Sequence, residues 1–392
     1  MSGKRFITSV LFLTLVVFFL GACKRSTGQS VHYASSSDPG VNNAPINNGP
    51  PSGPAGPVVS YADVVSRVSP AVITIHSEMR VRAPQQYPFM NDPMFRQFFG
   101  DRAPQQMPEQ KRSGLGSGVI ISTDGYILTN HHVIDGAEQI KVDLNDNRTL
   151  DAKVVGSDPP SDLAVLKIDA SNLPVLALGD SDKVRVGDVV LAIGNPLGIG
   201  QTVTMGIISA KGRQTGLSSG SFEDFLQTDA PINQGNSGGA LVSTNSELIG
   251  INSQILSPSG GSIGIGFAIP SNMARTITDT LVKTGKVRRG QLGIVVVKTN
   301  SDPAKELGIK ETSGVVVAQV QAGSAADRAG LRKGDVITGF NGGQVTDPNV
   351  FRNLVAKTDP GSGVTLNVVR DGRAMQINAT LGELIPQPEQ PR

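Results

Sequence analysis

At 392 residues the chain has room for two or three domains, each able to bury a core. A formal charge of +2 with 17% charged residues gives no sign of a nucleic-acid surface. Glycine (46) and proline (25), with no tryptophan, point to strands and loops; Cys23, the only cysteine, excludes an intrachain disulfide, and His32, His76, His131 and His132 are too badly spaced for a metal site, so no cofactor is expected.

The first segment, 1–23, reads as a targeting signal. Lys4 and Arg5 precede an almost wholly apolar run from Phe6 to Leu20, shorter than the ~20 residues a bilayer crossing needs. Leu20-Gly21-Ala22-Cys23 resembles a bacterial lipobox, which implies lipidation of Cys23 and a membrane-tethered chain in the periplasm or cell envelope. An ordinary signal peptide or a short uncleaved anchor is the alternative, and Leu20 suits an A-x-A cleavage site poorly. Residues 24–58 are rich in Ser, Asn, Gly and Pro and hold few large apolar residues, so they read as a flexible tether.

A first domain is expected over 59–285. Ser60-Tyr61-Ala62-Asp63 resembles a capping box opening a short helix with Val64, Val65 and Val68 apolar, and Pro70 ends it. Ala71 to Ser77 alternates as a strand. Residues 80–112 mix Pro, Gln, Met and Phe with charges, a long loop that is functional or disordered, its Phe cluster either a docking element or a satellite core. Val119-Ile120-Ile121 and Tyr126-Ile127-Leu128 then flank Asp124-Gly125, a hairpin signal. The glycines from Gly114 to Gly118 lead into a strand, which argues against a phosphate loop. Strands follow at Ile140 to Leu144, Ala152 to Val155, Leu163 to Ile168, Val189 to Ile193, Thr202 to Ser209, Ala240 to Val242, Leu248 to Ile251 and Gly266 to Ile269. Short strands at this spacing without helices between them predict a mostly β protein of antiparallel barrels or sandwiches. Ser271 is expected to cap a helix with Met273, Ala274, Ile277 and Leu281 on one stripe. Gly285 to Arg289 marks a boundary, 289–384 carries a second α+β pattern with hairpin signals at Asn341-Gly342 and Asp371-Gly372, and 385–392 is a loose tail.

Asn233-Gln234-Gly235-Asn236-Ser237-Gly238-Gly239 sets one serine among three glycines, which permit turns a Cβ would forbid. Alone it is as easily a plain turn. A histidine pair after a strand (Thr129-Asn130-His131-His132-Val133) and an acid before another (Ser161-Asp162-Leu163-Ala164) supply a base and its orienting partner. The order His, Asp, Ser in an all-β pattern is that of chymotrypsin-type double barrels rather than subtilisins or α/β-hydrolases. These residues alone do not choose between His131 and His132.

Gly116-Ser117-Gly118-Val119-Ile120, Thr129 to Val133, Ser161 to Lys167, Gln227 to Ala230, Gly235 to Gly239 and Gly264 to Pro270 resemble the HtrA/Deg family of trypsin-like serine proteases, in register from about Val59 onward. The resemblance implies a chymotrypsin-like double six-stranded β-barrel followed by a PDZ domain. It picks His132 as the base beside Asp162 and Ser237, with Gly235 and Ser237 amides, and Asn236 as a third candidate, forming an oxyanion hole. It also lines the S1 pocket with Ile232, Ile255 or Leu256, and Ile265, none of them charged, which implies cleavage after small aliphatic residues. Gly290, Gln291, Leu292, Gly293 and Ile294 resemble the family's carboxylate-binding loop for C-terminal peptides; a buried edge strand is the plainer alternative. Arg213 corresponds to a residue in a loop that senses the PDZ domain. By the same resemblance the chain acts on unfolded or misfolded polypeptides as a homotrimer or a multiple of trimers. The expected activity is extracytoplasmic serine endoproteolysis; a site-specific stress sensor cutting one membrane client, and a chaperone or scaffold with little proteolysis, are the alternatives.

Overall fold

Short apolar runs broken by turn residues fold here into antiparallel strands, and the computed structural model describes residues 31–34, 60–81, 110–195, 200–215, 222–257, 261–309 and 313–385. Cys23 with its signal segment, most of the expected tether, positions 82–109 of the long loop with its Phe cluster, and the tail from 386 lie outside the described residues.

In the first half, α1 (Ala62–Val68) passes through a 3-10 turn, Ser69–Ala71, into β1 (Val72–Val81). Then come β2 (Gln110–Ile120), β3 (Tyr126–Thr129), a helical turn α2 (His131–Ile134), β4 (Gln139–Asp143), β5 (Thr149–Asp151), β6 (Lys153–Asp158) and β7 (Leu163–Lys167). They form a seven-stranded sheet in the order β5-β4-β1-β2-β3-β7-β6. The strand beyond the expected six is legible only in the fold: β5 has just three residues and pairs with β4 at the edge. Ile75, Ile120, Ile127 and Leu166 fill its core.

The second half comprises β8 (Val189–Gly194), β9 (Thr202–Arg213), β10 (Phe225–Thr228), β11 (Ala240–Ser243), β12 (Leu248–Ile255) and β13 (Gly266–Pro270), closed as a six-stranded barrel in the order β10-β13-β12-β11-β8-β9. Closure leaves no edge to protect. Ile208, Leu226, Leu241 and Ile249 pack inside it. A third cluster, including Val68, Leu128, Leu163, Leu191, Ile193 and Ile251, joins the two halves, and helix α3 (Ser271–Thr284) adds Ala274, Ile277 and Leu281.

Two caps differ from expectation. The Ser60 hydroxyl accepts from the Ala62 amide at 3.2 Å in place of a reciprocal box. Pro270, not Ser271, occupies the cap position of α3, because the Ser271 hydroxyl is drawn inward to the Gly179 carbonyl at 2.8 Å. Within the expected tether, Val31, Tyr33 and Ala34 pack on the first domain. The Tyr33 hydroxyl lies 2.7 Å from Asp279 Oδ1, with the Arg275 guanidinium 5.4 Å from the ring. Burial and the Asp279 carboxylate push the phenol above its ordinary range.

Gly285, at φ 73°, ends α3 in the left-handed conformation that favours glycine. Beyond it, β14 (Gly290–Gln291), β15 (Ile294–Lys298), α4 (Asp302–Glu306), β16 (Val315–Val320), α5 (Ala325–Arg328), β17 (Val336–Phe340), β18 (Gly343–Gln344), α6 (Pro348–Lys357), β19 (Gly363–Arg370), β20 (Arg373–Thr380) and β21 (Gly382–Glu383) enclose Leu292, Val317, Phe340, Phe351 and Leu366. Asp347 caps α6 by accepting from the Asn349 amide at 2.8 Å, with Pro348 in the first turn. The two hairpin turns anticipated in this domain carry paired positive φ, 49° and 82° at Asn341-Gly342 and 50° and 75° at Asp371-Gly372, whereas at Asp124-Gly125 only the glycine is positive, at 88°.

Candidate active site

The site lies where the two halves of the first domain meet. Gly116 in β2 leaves room for α2: a Cβ there would sit 2.6 Å from Val133 Cγ1, so the glycine lets the histidine-bearing turn close onto the sheet. Asp162 ends the 3-10 turn Pro159–Ser161 in a left-handed conformation, φ 55°. Its carboxylate receives the His132 amide at 3.1 Å and the Ser253 hydroxyl at 2.7 Å, and lies 2.9 Å from His132 Nδ1. A carboxylate at Nδ1 holds the proton there and leaves the lone pair on Nε2, which is what a general base requires.

The geometry separates the two histidines. The His132 ring faces Asp162, whereas His131 Nδ1 is 2.7 Å from the Ser157 hydroxyl on β6 and its Nε2 is 3.7 Å from Asp135. The Ser237 hydroxyl donates to the Ser253 carbonyl at 3.0 Å. A hydroxyl has one proton, so attack requires that bond to be exchanged for one to the base.

Asn233 to Asn236 form a β-turn, the Asn236 amide donating to the Asn233 carbonyl at 3.0 Å. Gly235 occupies its third position at φ 98°, as a type II turn demands. The Asn236 amide, one of the expected oxyanion donors, is thus engaged within the turn, and its side chain is buried against Gly194. Gly238, at φ 82°, lies so close to β2 that a Cβ would meet the Ser117 carbonyl oxygen at 2.1 Å.

Of the proposed S1 residues, Ile232 is buried and Ile255 half-buried in the same apolar cluster; a Cβ on Gly266 would press on Ile232 at 2.9 Å. Leu256 is exposed, its amide donating to the Ile265 carbonyl at 3.1 Å. Arg213 ends β9, its Nε donating to Gln227 at 2.9 Å. In the second domain Gly290 and Gln291 pair with β21, Leu292 is buried, Gly293 turns at φ 75°, and Ile294 starts β15. A crevice of about 540 Å³ opens between the domains, lined by Lys211, Arg213 and Asp224 on one side and Lys298, Val350 and Leu354 on the other.

Sequence reasoning missed the contacts that bind the domains together. Arg289 grips Asp158 through two bonds of 2.5 Å, both groups almost fully buried. Phe222 lies under the Arg289 and Arg352 guanidinium groups, 4.7 and 5.6 Å from its ring centre, and its amide donates to the Pro160 carbonyl at 2.7 Å. Asn349 and Asn353 of α6 both donate to the Glu223 carbonyl, at 3.0 and 3.2 Å. Asp158 and Pro160 belong to the turn that delivers Asp162, so the second domain touches the approach to the acid. Ser253 also went unnoticed; its one sequence signal is the polar pair Asn252-Ser253 continuing an apolar strand.

A family model described as a trypsin-like peptidase domain matches residues 116–251, and one described as a PDZ domain matches 290–381. The chain is 47% identical over 331 residues to a probable periplasmic serine protease do/HhoA-like of Haemophilus influenzae, covering 82% of this chain and 71% of that protein. It is 47% identical over 327 residues to the periplasmic pH-dependent serine endoprotease DegQ of Escherichia coli, covering 83% and 70%. Among solved structures, the HtrA-type protease AlgW with a decapeptide superposes with a TM-score of 0.70 at 50% identity, covering 84% of this chain and 100% of that one. A serine endoprotease from Yersinia pestis does so with a TM-score of 0.60 at 39% identity, covering 84% and 100%.

Proposed function

The chain belongs to the HtrA/Deg family of trypsin-like serine endoproteases, a protease domain followed by one PDZ domain, and from that premise we propose how its residues divide the work. Ser237 attacks the peptide carbonyl and His132 takes its proton, later passing it to the leaving amine. Asp162, with the Ser253 hydroxyl on its second oxygen, holds the imidazole and stabilises its cation. The Gly235 and Ser237 amides receive the developing oxyanion, a stabilisation of roughly 3 kcal/mol per donor. The observation carrying this assignment is that one carboxylate gathers His132 and Ser253 while Ser253 also receives the Ser237 hydroxyl.

Substrates are unfolded polypeptides cut after small aliphatic residues, because the walls assigned to S1 are Ile232, Ile255, Leu256 and Ile265. C-terminal peptides dock at Gly290 to Ile294, and the crevice placing Arg213 opposite α6 supports a proteolysis that depends on what the PDZ domain holds. The enzyme acts as a trimer or multiple of trimers in the periplasm, tethered through lipid on Cys23. Ser237→Ala should lower casein turnover by about a million-fold, to background; unchanged turnover overturns the assignment. Fluorophosphonate labelling of Ser237 separates protease from scaffold, since a scaffold would stay unlabelled even with a PDZ-binding peptide present.

A further inference from the structure

Ser117, in β2, is fully buried and makes four hydrogen bonds, three of them to the nucleophile turn and the strand of the base. Its amide donates to the Ser237 carbonyl at 2.8 Å. Its hydroxyl donates to the Gly235 carbonyl at 2.7 Å and accepts from the Asn195 amide at 2.9 Å. Its carbonyl accepts from the Thr129 hydroxyl at 2.7 Å, and Thr129 ends the strand that runs into the His132 turn. One residue is therefore bonded to the nucleophile turn at two points and to the strand of the base at a third.

We infer that Ser117 is a positioning residue that presets the Ser237 amide as an oxyanion donor. The two carbonyls it holds, those of Gly235 and Ser237, lie on either side of the Asn236–Ser237 peptide, and that peptide carries the Ser237 amide. Fixing both flanking peptide planes leaves the one between them little freedom, since each residue has only two soft dihedrals. Gly235 and Gly238 sit at positive φ, and the Asn236 carbonyl of the same peptide accepts from the Gly239 amide at 2.9 Å, so the Ser117 bonds act together with the turn's own. The Gln234–Gly235 peptide, which carries the other donor, lies outside this clamp. The hole is thus built with one donor fixed from β2 and one left to the turn. This inference rests on the oxyanion-hole assignment above and adds its mechanical cause.

The hydroxyl is the separable part, because the amide bond to Ser237 survives side-chain replacement. Ser117→Ala should lower kcat on a peptide substrate by about 10- to 100-fold with KM changed less than about threefold, because a mispositioned donor is lost mainly in the transition state. Ser117→Thr, which restores a hydroxyl, should recover most of the loss. Binding of a peptide boronic acid, whose tetrahedral adduct needs the hole, should weaken in Ser117→Ala in parallel with kcat. Binding of an uncleaved peptide, measured in a Ser237→Ala background, should not. Thermal melting of each variant fixes the temperature at which all are folded. If Ser117→Ala melts earlier yet keeps kcat and boronate affinity, the residue is only structural and the inference fails. It fails too if Ser117→Thr and Ser117→Ala are equally slow while both are folded. If the boronate fails to bind even the parent enzyme, the oxyanion-hole assignment is what falls.

Discussion

The turn carrying Ser237 and the turn carrying Asp162 are made of similar parts, each set by residues at positive φ and short backbone bonds, but they are anchored from different directions. The Ser237 turn is held from inside the protease domain. Ser117 holds two of its carbonyls, and the Gly238 amide donates to the Asn252 carbonyl at 2.8 Å. The Asp162 turn is held partly from outside, by Arg289 of the second domain on Asp158, and partly by Phe222, a protease-domain residue whose amide bonds Pro160 and whose ring meets Arg352 of the PDZ domain. Between that domain and the acid lie one ion pair and one backbone bond. The bonded path to the neighbourhood of the nucleophile is longer, from Asn349 and Asn353 to Glu223, to Thr215, to the Gln254 side chain beside Ser253.

The largest effect is expected at the Arg289–Asp158 ion pair. Asp158→Asn leaves the Arg289 guanidinium buried beside a neutral amide, at a cost of about 3–5 kcal/mol. Amide exchange at residues 158, 161 and 162 should accelerate and the melting temperature should fall, while exchange around 235–239 changes little. Replacing both partners, Asp158→Leu with Arg289→Met, should recover most of the stability, since paired apolar groups remove the stranded charge. Equal acceleration in both turns would mean that they are not separately anchored.

A smaller effect is expected where the two turns meet. Ser253→Ala removes one of the donors on Asp162 but keeps the carbonyl that receives Ser237. A hydrogen bond to a charged group contributes about 1.5–3 kcal/mol, so kcat should drop by about 10- to 100-fold with the fold intact. No change in kcat would show that the two His132 bonds alone hold the acid in place.

What the sequence made legible follows this division. The glycines around Ser237 and the hairpin dipeptides announce themselves within a few residues, because each answers a local backbone demand, whereas the triad is read from the order of three separate motifs. His132 could be preferred over His131 only through resemblance, since the distinction lies in which ring meets Asp162 and which meets Ser157. The Arg289–Asp158 pair spans 131 residues, and nothing at either position marks it. Tyr33 sits in a stretch whose composition reads as tether, and its docking depends on Arg275 and Asp279 of a helix more than 240 residues away. Ser117 belongs to the Gly116 to Ile120 motif, yet its bonds to the nucleophile turn appear only when β2 lies against it.

The smallest effect tests the boundary itself. Asp224 lines the crevice between the domains, and burial raises its carboxyl above the usual range, with Lys357 and Lys211 opposing and Asp182 adding to the rise. The folded state therefore keeps this proton to higher pH than the unfolded chain. Its stabilising contribution is present below the ordinary carboxylate value and is lost as pH climbs through the raised one. Asp224→Asn, neutral at every pH, should melt slightly later than the parent at neutral pH, and the difference should vanish under acid conditions where the parent is protonated in both states. A variant that instead melts earlier at neutral pH would show that the lysines outweigh burial, making Asp224 a charge clasp between protease and PDZ domain. The anchoring from outside would then extend along the whole crevice, and the contrast between the two turns would narrow to the ion pair alone.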